Sequence, residues 1–205
     1  MALRTSNETS ETTPESIQQT DRERRERLRG WVEACLPARI DLEIGAGHGH
    51  WLVSYAMSYP ERFSVGIDVI SQRVRRANLK VEKRGLEHVR FCKAEALEFL
   101  GALLETGRQL DRIFLFFPDP WPKKRHHRRR FIQRESLDRL AEVSREGAPL
   151  FVRSDHREYF QWILEHLQAH PRWKLDPEVS WPHEEPSFFE QLLPDFQSLT
   201  ARRQA

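Results

Sequence analysis

Residues 40–51 read IDLEIGAGHGHW. An apolar, β-branched start gives way to glycine at every second position, Gly45, Gly47 and Gly49. Glycine takes positive φ without steric cost and lets another molecule come close to the backbone. Directly after the turn, Trp51, Leu52, Tyr55, Ala56 and Tyr59 fall at helical spacing. The stretch therefore predicts a strand, a glycine turn and a helix in immediate succession.

The same alternation repeats downstream. Runs rich in β-branched or aromatic residues stand at FSVGID (63–68), VRFCKA (89–94), RIFLFF (112–117) and LFVRS (150–154). Between and after them, apolar residues recur three or four apart: Val74, Ala77 and Val81; then Leu137, Leu140 and Ala141; then Tyr159, Phe160, Ile163, Leu164 and Leu167. Strands and helices in this order predict right-handed crossovers and an α/β fold. The expectation is a doubly wound, mostly parallel, Rossmann-like sheet over residues 38–205. Upstream, residues 1–20 are polar and predict a disordered tail. Residues 21–37, with Leu28, Trp31, Val32 and Cys35 at near-helical spacing, predict a surface helix ending near Pro37.

Composition suits one domain: 205 residues, 39% hydrophobic, are enough for a core. The formal charge is only +2, from 33 Lys and Arg against 31 Asp and Glu, so overall charge says nothing about partners. Cys35 and Cys92 lack metal or redox spacing and read as free structural thiols of a reducing compartment. No stretch reaches the roughly 18 apolar residues of a membrane span, and no signal-peptide core opens the chain. A cytoplasmic location is expected.

In such sheets, ligands gather at the carboxyl ends of the strands. Glu43 stands two residues before the first glycine, where it would repel a phosphate and attract a cation. The G-x-G-x-G spacing also departs from the dinucleotide fingerprint. Asp68, at the second strand end, suits a pair of ribose hydroxyls, and Glu95, at the third, suits an adenine amine. Three acids at successive strand ends, with Gly45 and Gly47 among them, favour S-adenosylmethionine over a nicotinamide dinucleotide.

The fourth strand runs into FFPDPWPKKRHHRRR (116–130). Pro118 and Pro120 fix their own φ and extend the residues before them, so Asp119 is expected in a stiff turn. A base could stack on Trp121 or Phe117. N7 of guanine carries an in-plane lone pair and loses no proton on alkylation. Such a reaction asks for alignment and a nearby negative charge, which Asp119 would supply. Lys123, Lys124, Arg125, Arg128, Arg129 and Arg130 then read as phosphate contacts. Arg22 to Arg29 could add more. His126 and His127 have no spaced acid or cysteine partner, and no metal is expected.

EIGAGHG, GIDV, FFPDPWPKKRHHRRR, Ser154–Asp155 and SFFE (187–190) resemble the bacterial single-chain tRNA (guanine-N7-)-methyltransferases. The likeness runs from Ala38 to Glu190. It implies methyl transfer from S-adenosylmethionine to N7 of a guanine in the tRNA variable loop. It also implies cofactor contacts at Glu43, Asp68, Glu95 and Asp119, with Asp119 in the active site. Substrate contacts are implied at Lys123, Asp155, Ser187, Phe188, Phe189 and Glu190. Asp68 stands where the family commonly has Glu, Glu95 where it has Asp, and Ser187 where it has Thr. The alternatives are an RNA-binding relative without turnover, or a methyltransferase for another substrate. Monomer and homodimer both stay open.

Overall fold

The computed structural model describes residues 14–183 and 195–205. Seven strands form one sheet: β1 (Arg39–Ile44), β2 (Ser64–Asp68), β3 (Val89–Lys93), β4 (Gln109–Phe116), β5 (Pro149–Ser154), β6 (Trp173–Leu175) and β7 (Gln197–Arg203). Their order is β3-β2-β1-β4-β5-β7-β6. The first five are parallel, and β7 runs antiparallel to both β5 and β6. Among the described residues, six α-helices flank the sheet: α1 (Pro14–Cys35), α2 (His50–Ser58), α3 (Ser71–Arg84), α4 (Ala96–Thr106), α5 (Arg134–Val143) and α6 (Arg157–Ala169).

Alternation along the strands builds a core on each face of the sheet. Ile40, Leu42, Ile44, Val65, Ile67, Ile113, Leu115, Leu150 and Val152 point toward α1, α4, α5 and α6. Phe91, Phe114, Phe116 and Phe151 point the other way, toward α2, α3 and the segment holding Val179 and Trp181. The doubly wound expectation and all five parallel strands stand as read. Helix α4 and strands β6 and β7 are additions, being short or not set apart by a clear run. One boundary moves: α1 begins at Pro14, so residues 14–20 are helical rather than part of a disordered tail. The helix ends at Cys35, close to the expected stop before Pro37.

Two glycines key the layers together. A Cβ on Gly66 would lie 2.4 Å from the Phe91 ring, and one on Gly49 would lie 2.5 Å from it. Phe91 of β3 thus fills the space that side chains at β2 and at the glycine turn would occupy. This close approach seats the start of α2 directly on the sheet.

Candidate active site at the carboxyl edge

Winding reverses between β1 and β4, whose partners run as far as Ile44 opposite Leu115. A crevice at such a reversal is where open α/β sheets bind ligands. Because the strands stand in the order 3-2-1-4-5, Glu95, Asp68, Glu43, Asp119 and Asp155 follow one another along a single edge. The sequence scattered these acids over more than a hundred positions. The topology lines them up.

Glu43 is buried, and its Oε2 has no hydrogen-bond partner. Burial, with help from the Asp68 charge, pushes its carboxyl up to about 8. An acid held in this way is stabilised as a carboxylate only when a cation arrives. Gly45, Gly47 and Gly49 all take positive φ, at 76°, 55° and 69°. A Cβ on Gly45 or Gly47 would meet nothing within 4 Å, so both backbones face open space. Asp68 accepts from the Gly47 amide at 3.1 Å and from the Ile70 amide at 2.8 Å, with Arg73 at 3.5 Å from Oδ2. It is itself buried and braces the turn.

Glu95 accepts from the Glu98 amide at 3.1 Å and so caps α4. One carboxylate oxygen is engaged in that bond, on a residue that is otherwise exposed. The resulting set has an orphaned buried acid, a glycine cradle without side chains and two further acids. It fits a ligand with a cationic group and several donors.

Asp119 is exposed at the tip of a turn whose two ends are strained. Phe117 and Trp121 have φ of 49° and 42°, a left-handed conformation that bulky residues rarely adopt. Such strain persists only where surroundings hold it in place. The Phe117 amide donates to the Arg153 carbonyl at 2.8 Å, carrying the β4–β5 ladder one residue further before the chain turns out. The Phe117 ring meets Phe196 edge-on. Arg129 lies over the Trp121 ring at 4.9 Å, and His126 meets its edge.

The basic run forms a short 3-10 helix, Lys124–Arg129, after the exposed Lys123. The Gln133 side-chain amide staples it, donating to the carbonyls of Arg128 at 2.8 Å and Arg130 at 2.7 Å. Lys124, Arg125, Arg128 and Arg129 are exposed. Arg130 is not, and its reading as a phosphate contact is overturned. Its Nε donates to the Pro120 carbonyl at 2.8 Å and its Nη2 to Glu158 at 2.9 Å. The guanidinium lies between Tyr159 at 5.1 Å and Trp162 at 4.9 Å. The last cation of the run turns inward because it anchors the Asp119 turn to α6.

Asp155 lies beyond β5, exposed, in an open cleft of about 910 Å³ formed with Ser154, Arg157, Phe160 and Phe196. Ser187, Phe188, Phe189 and Glu190 lie outside the described residues. Sequence reasoning missed Arg153, whose guanidinium sits 4.0 Å from the Trp181 ring centre and also covers Phe116 and Phe196. Its position inside the apolar run LFVRS was the signal. Among the described residues, no three His, Cys, Asp or Glu side chains gather as a metal site. No described helix is long and apolar enough to cross a membrane.

A seven-stranded sheet of this order, with an acid and a glycine turn at β1, defines a doubly wound α/β protein with a ligand crevice at its carboxyl edge. Solved structures agree at the level of fold. An aminoglycoside resistance methyltransferase, NpmB1, superposes with a TM-score of 0.56 at 14% identity, over 93% of each chain. An rRNA methylase from Streptococcus thermophilus gives 0.53 at 10% identity, over 86% of this chain and 94% of that one. Residues 37–195 match the family described as "Putative methyltransferase", and the chain belongs to that methyltransferase family. Among curated relatives is the tRNA (guanine-N(7)-)-methyltransferase of Rhodospirillum rubrum, 37% identical over 164 residues, or 79% of this chain. That of Halorhodospira halophila is 41% identical over 133 residues, or 65% of this chain. The chain spans 63% and 57% of the length of these two relatives. The resemblance carried by FFPDPWPKKRH is thereby borne out.

Proposed function

We propose that the chain methylates N7 of a guanine in the tRNA variable loop, using S-adenosylmethionine. When bound, S-adenosylmethionine supplies an electrophilic methyl group on a sulfonium and an ammonium that suits Glu43. Gly45 and Gly47 leave room for the cofactor against the backbone, while Asp68 and Glu95 offer acceptors to its hydroxyl and amine groups. The single observation that carries the reading is the placement of Asp119. It stands exposed on a strained, proline-locked turn at β4, next to the glycine turn at β1 and directly before an exposed basic helix.

N7 attacks through its own lone pair and the guanine becomes cationic without losing a proton. No general base is required, and Asp119 orients the base and offsets the new positive charge. Lys123, Lys124, Arg125, Arg128 and Arg129 hold the RNA backbone, with Asp155 facing the neighbouring cleft. Ser187 to Glu190 complete the substrate contacts in this reading. The site of action is the cytoplasm, where tRNA is found. Incubation with labelled S-adenosylmethionine and unmodified tRNA, followed by cleavage selective for 7-methylguanine, tests it. Label incorporated without cleavage at the variable loop would refute the position, and no incorporation would refute the activity.

A further inference from the structure

Helix α3 carries Arg73, Arg76, Lys80 and Arg84 at intervals of three and four, with Lys83 beside them, Arg75 on another side and Glu82 as its one acid. That spacing places the first four on one side of the helix. The same side faces the glycine turn. Lys80 Nζ donates to the His48 carbonyl at 2.6 Å and meets His50 Nε2 at 2.9 Å, and Arg76 lies 3.5 Å from His48 Nε2. Arg73 has Asp68 as a partner. Among the described residues, Arg76, Lys80, Lys83 and Arg84 have no carboxylate within ion-pair distance.

The cost of this arrangement is visible. Burial and the surrounding cations hold His48, His50 and Lys80 below their ordinary ranges. Like charges at i and i+4 also destabilise a bare helix. The arginines of α1 make the contrast. Arg24 pairs with Glu98 and Asp21, Arg22 with Glu26, and Arg29 with Glu33. Three of the five α1 arginines are thus paired within the fold, which lowers their expected value for phosphate, while Arg25 and Arg27 are exposed. The α3 row, Arg73 apart, is left without acids at ion-pair distance among the described residues.

We propose that this side of α3, with His48 and His50, is a second phosphate-binding surface for the same RNA whose guanine reaches Asp119. The inference rests on the tRNA reading above. From Arg73 to Arg84 the row extends about 16 Å along an exposed helix, longer than a nucleotide's phosphates and not enclosed as a pocket. Its shape suits an extended polyanion. Its contact with the glycine turn places the RNA beside the cofactor crevice.

The test compares three forms of the full chain for binding of unmodified tRNA over a range of salt. They are wild type, Arg76→Ala/Lys83→Ala/Arg84→Ala, and Lys123→Ala/Arg125→Ala. Lys80 is kept because it braces the glycine turn. The α3 variant is expected to bind tRNA about tenfold more weakly at low salt and to lower the salt slope by roughly two. Calorimetric affinity for S-adenosylmethionine should stay unchanged, and the melting temperature should hold or rise as repulsion is relieved. Lys83→Glu/Arg84→Glu, at exposed positions only, should weaken tRNA binding further and guards against a misfolded triple variant. If the α3 variants keep wild-type affinity and slope while the Lys123/Arg125 variant loses both, the second surface is refuted and the tRNA reading stands. Should wild type itself show no salt-dependent tRNA binding, both fall.

Discussion

Glu43 turns the chemistry of a cationic ligand into a pH dependence. Burial pushes its carboxyl up to about 8 in the ligand-free protein, and on the proposed reading it ionises to receive an ammonium. Binding therefore releases a proton, and affinity for S-adenosylmethionine should rise with pH from 6 to 8. Calorimetry in buffers of different ionisation enthalpy measures this release. Glu43→Gln should bind more weakly and lose the pH dependence; an unchanged profile would remove Glu43 from the cofactor site. Stability runs the other way. A folded pKa raised above the unfolded value of 4.5 means the folded state holds the extra proton, so ligand-free stability falls as pH rises from 4.5 toward 8. Asp119→Ala should cost roughly a hundredfold or more in methyl transfer with S-adenosylmethionine binding still measurable. Both acids were legible in the sequence because each lies a fixed step from a glycine or between prolines. The burial of Glu43 was not, since it depends on strands that meet it only in space.

At the level of elements, the Asp119 turn is held from beneath by α6 through Arg130. Losing its buried contacts with Pro120, Tyr159 and Trp162 should cost about 3 kcal/mol, on the scale of other large buried truncations. Arg130→Met should recover part of that stability through packing yet leave turnover low, because the Pro120 carbonyl stays untethered. A fall in kcat with little change in KM for the methyl donor would mark a positioning role. In sequence, Arg130 is one cation among six, and nothing in the run says which will turn inward. The glycine turn makes the reverse case. Its strand–turn–helix form was readable, but the reason for Gly49 and Gly66 lies in Phe91. Gly66→Ala should destabilise by about 1–3 kcal/mol, and Phe91→Leu should restore much of it. Gly49→Ala should be rescued less well, because its φ of 69° adds backbone strain. Thermal melting of the two pairs tests this difference.

Across the whole molecule, a formal charge of +2 conceals a division of labour. Three arginines of α1 are matched by acids, while Lys124, Arg125, Arg128 and Arg129 of the 124–129 helix and Arg76, Lys83 and Arg84 of α3 are left exposed. Lys123→Ala with Arg125→Ala should flatten the salt dependence of tRNA binding by roughly two units of slope, which filter binding at several salt concentrations would measure. The five parallel strands could be read from their apolar runs. The last two could not, because β6 has three residues and β7 (QSLTARR) looks polar. The placement of β7 has a consequence for synthesis. It enters between β5 and β6, and its approach brings Phe196 against Phe117 and Arg153. While a ribosome has yet to release residues 196–203, β5 is left as a bare parallel edge open to wrong partners. The turn that presents Asp119 then lacks its lateral wall. A nascent chain should therefore stay catalytically silent until this strand zips in, so that assembly of the sheet and onset of activity become one event.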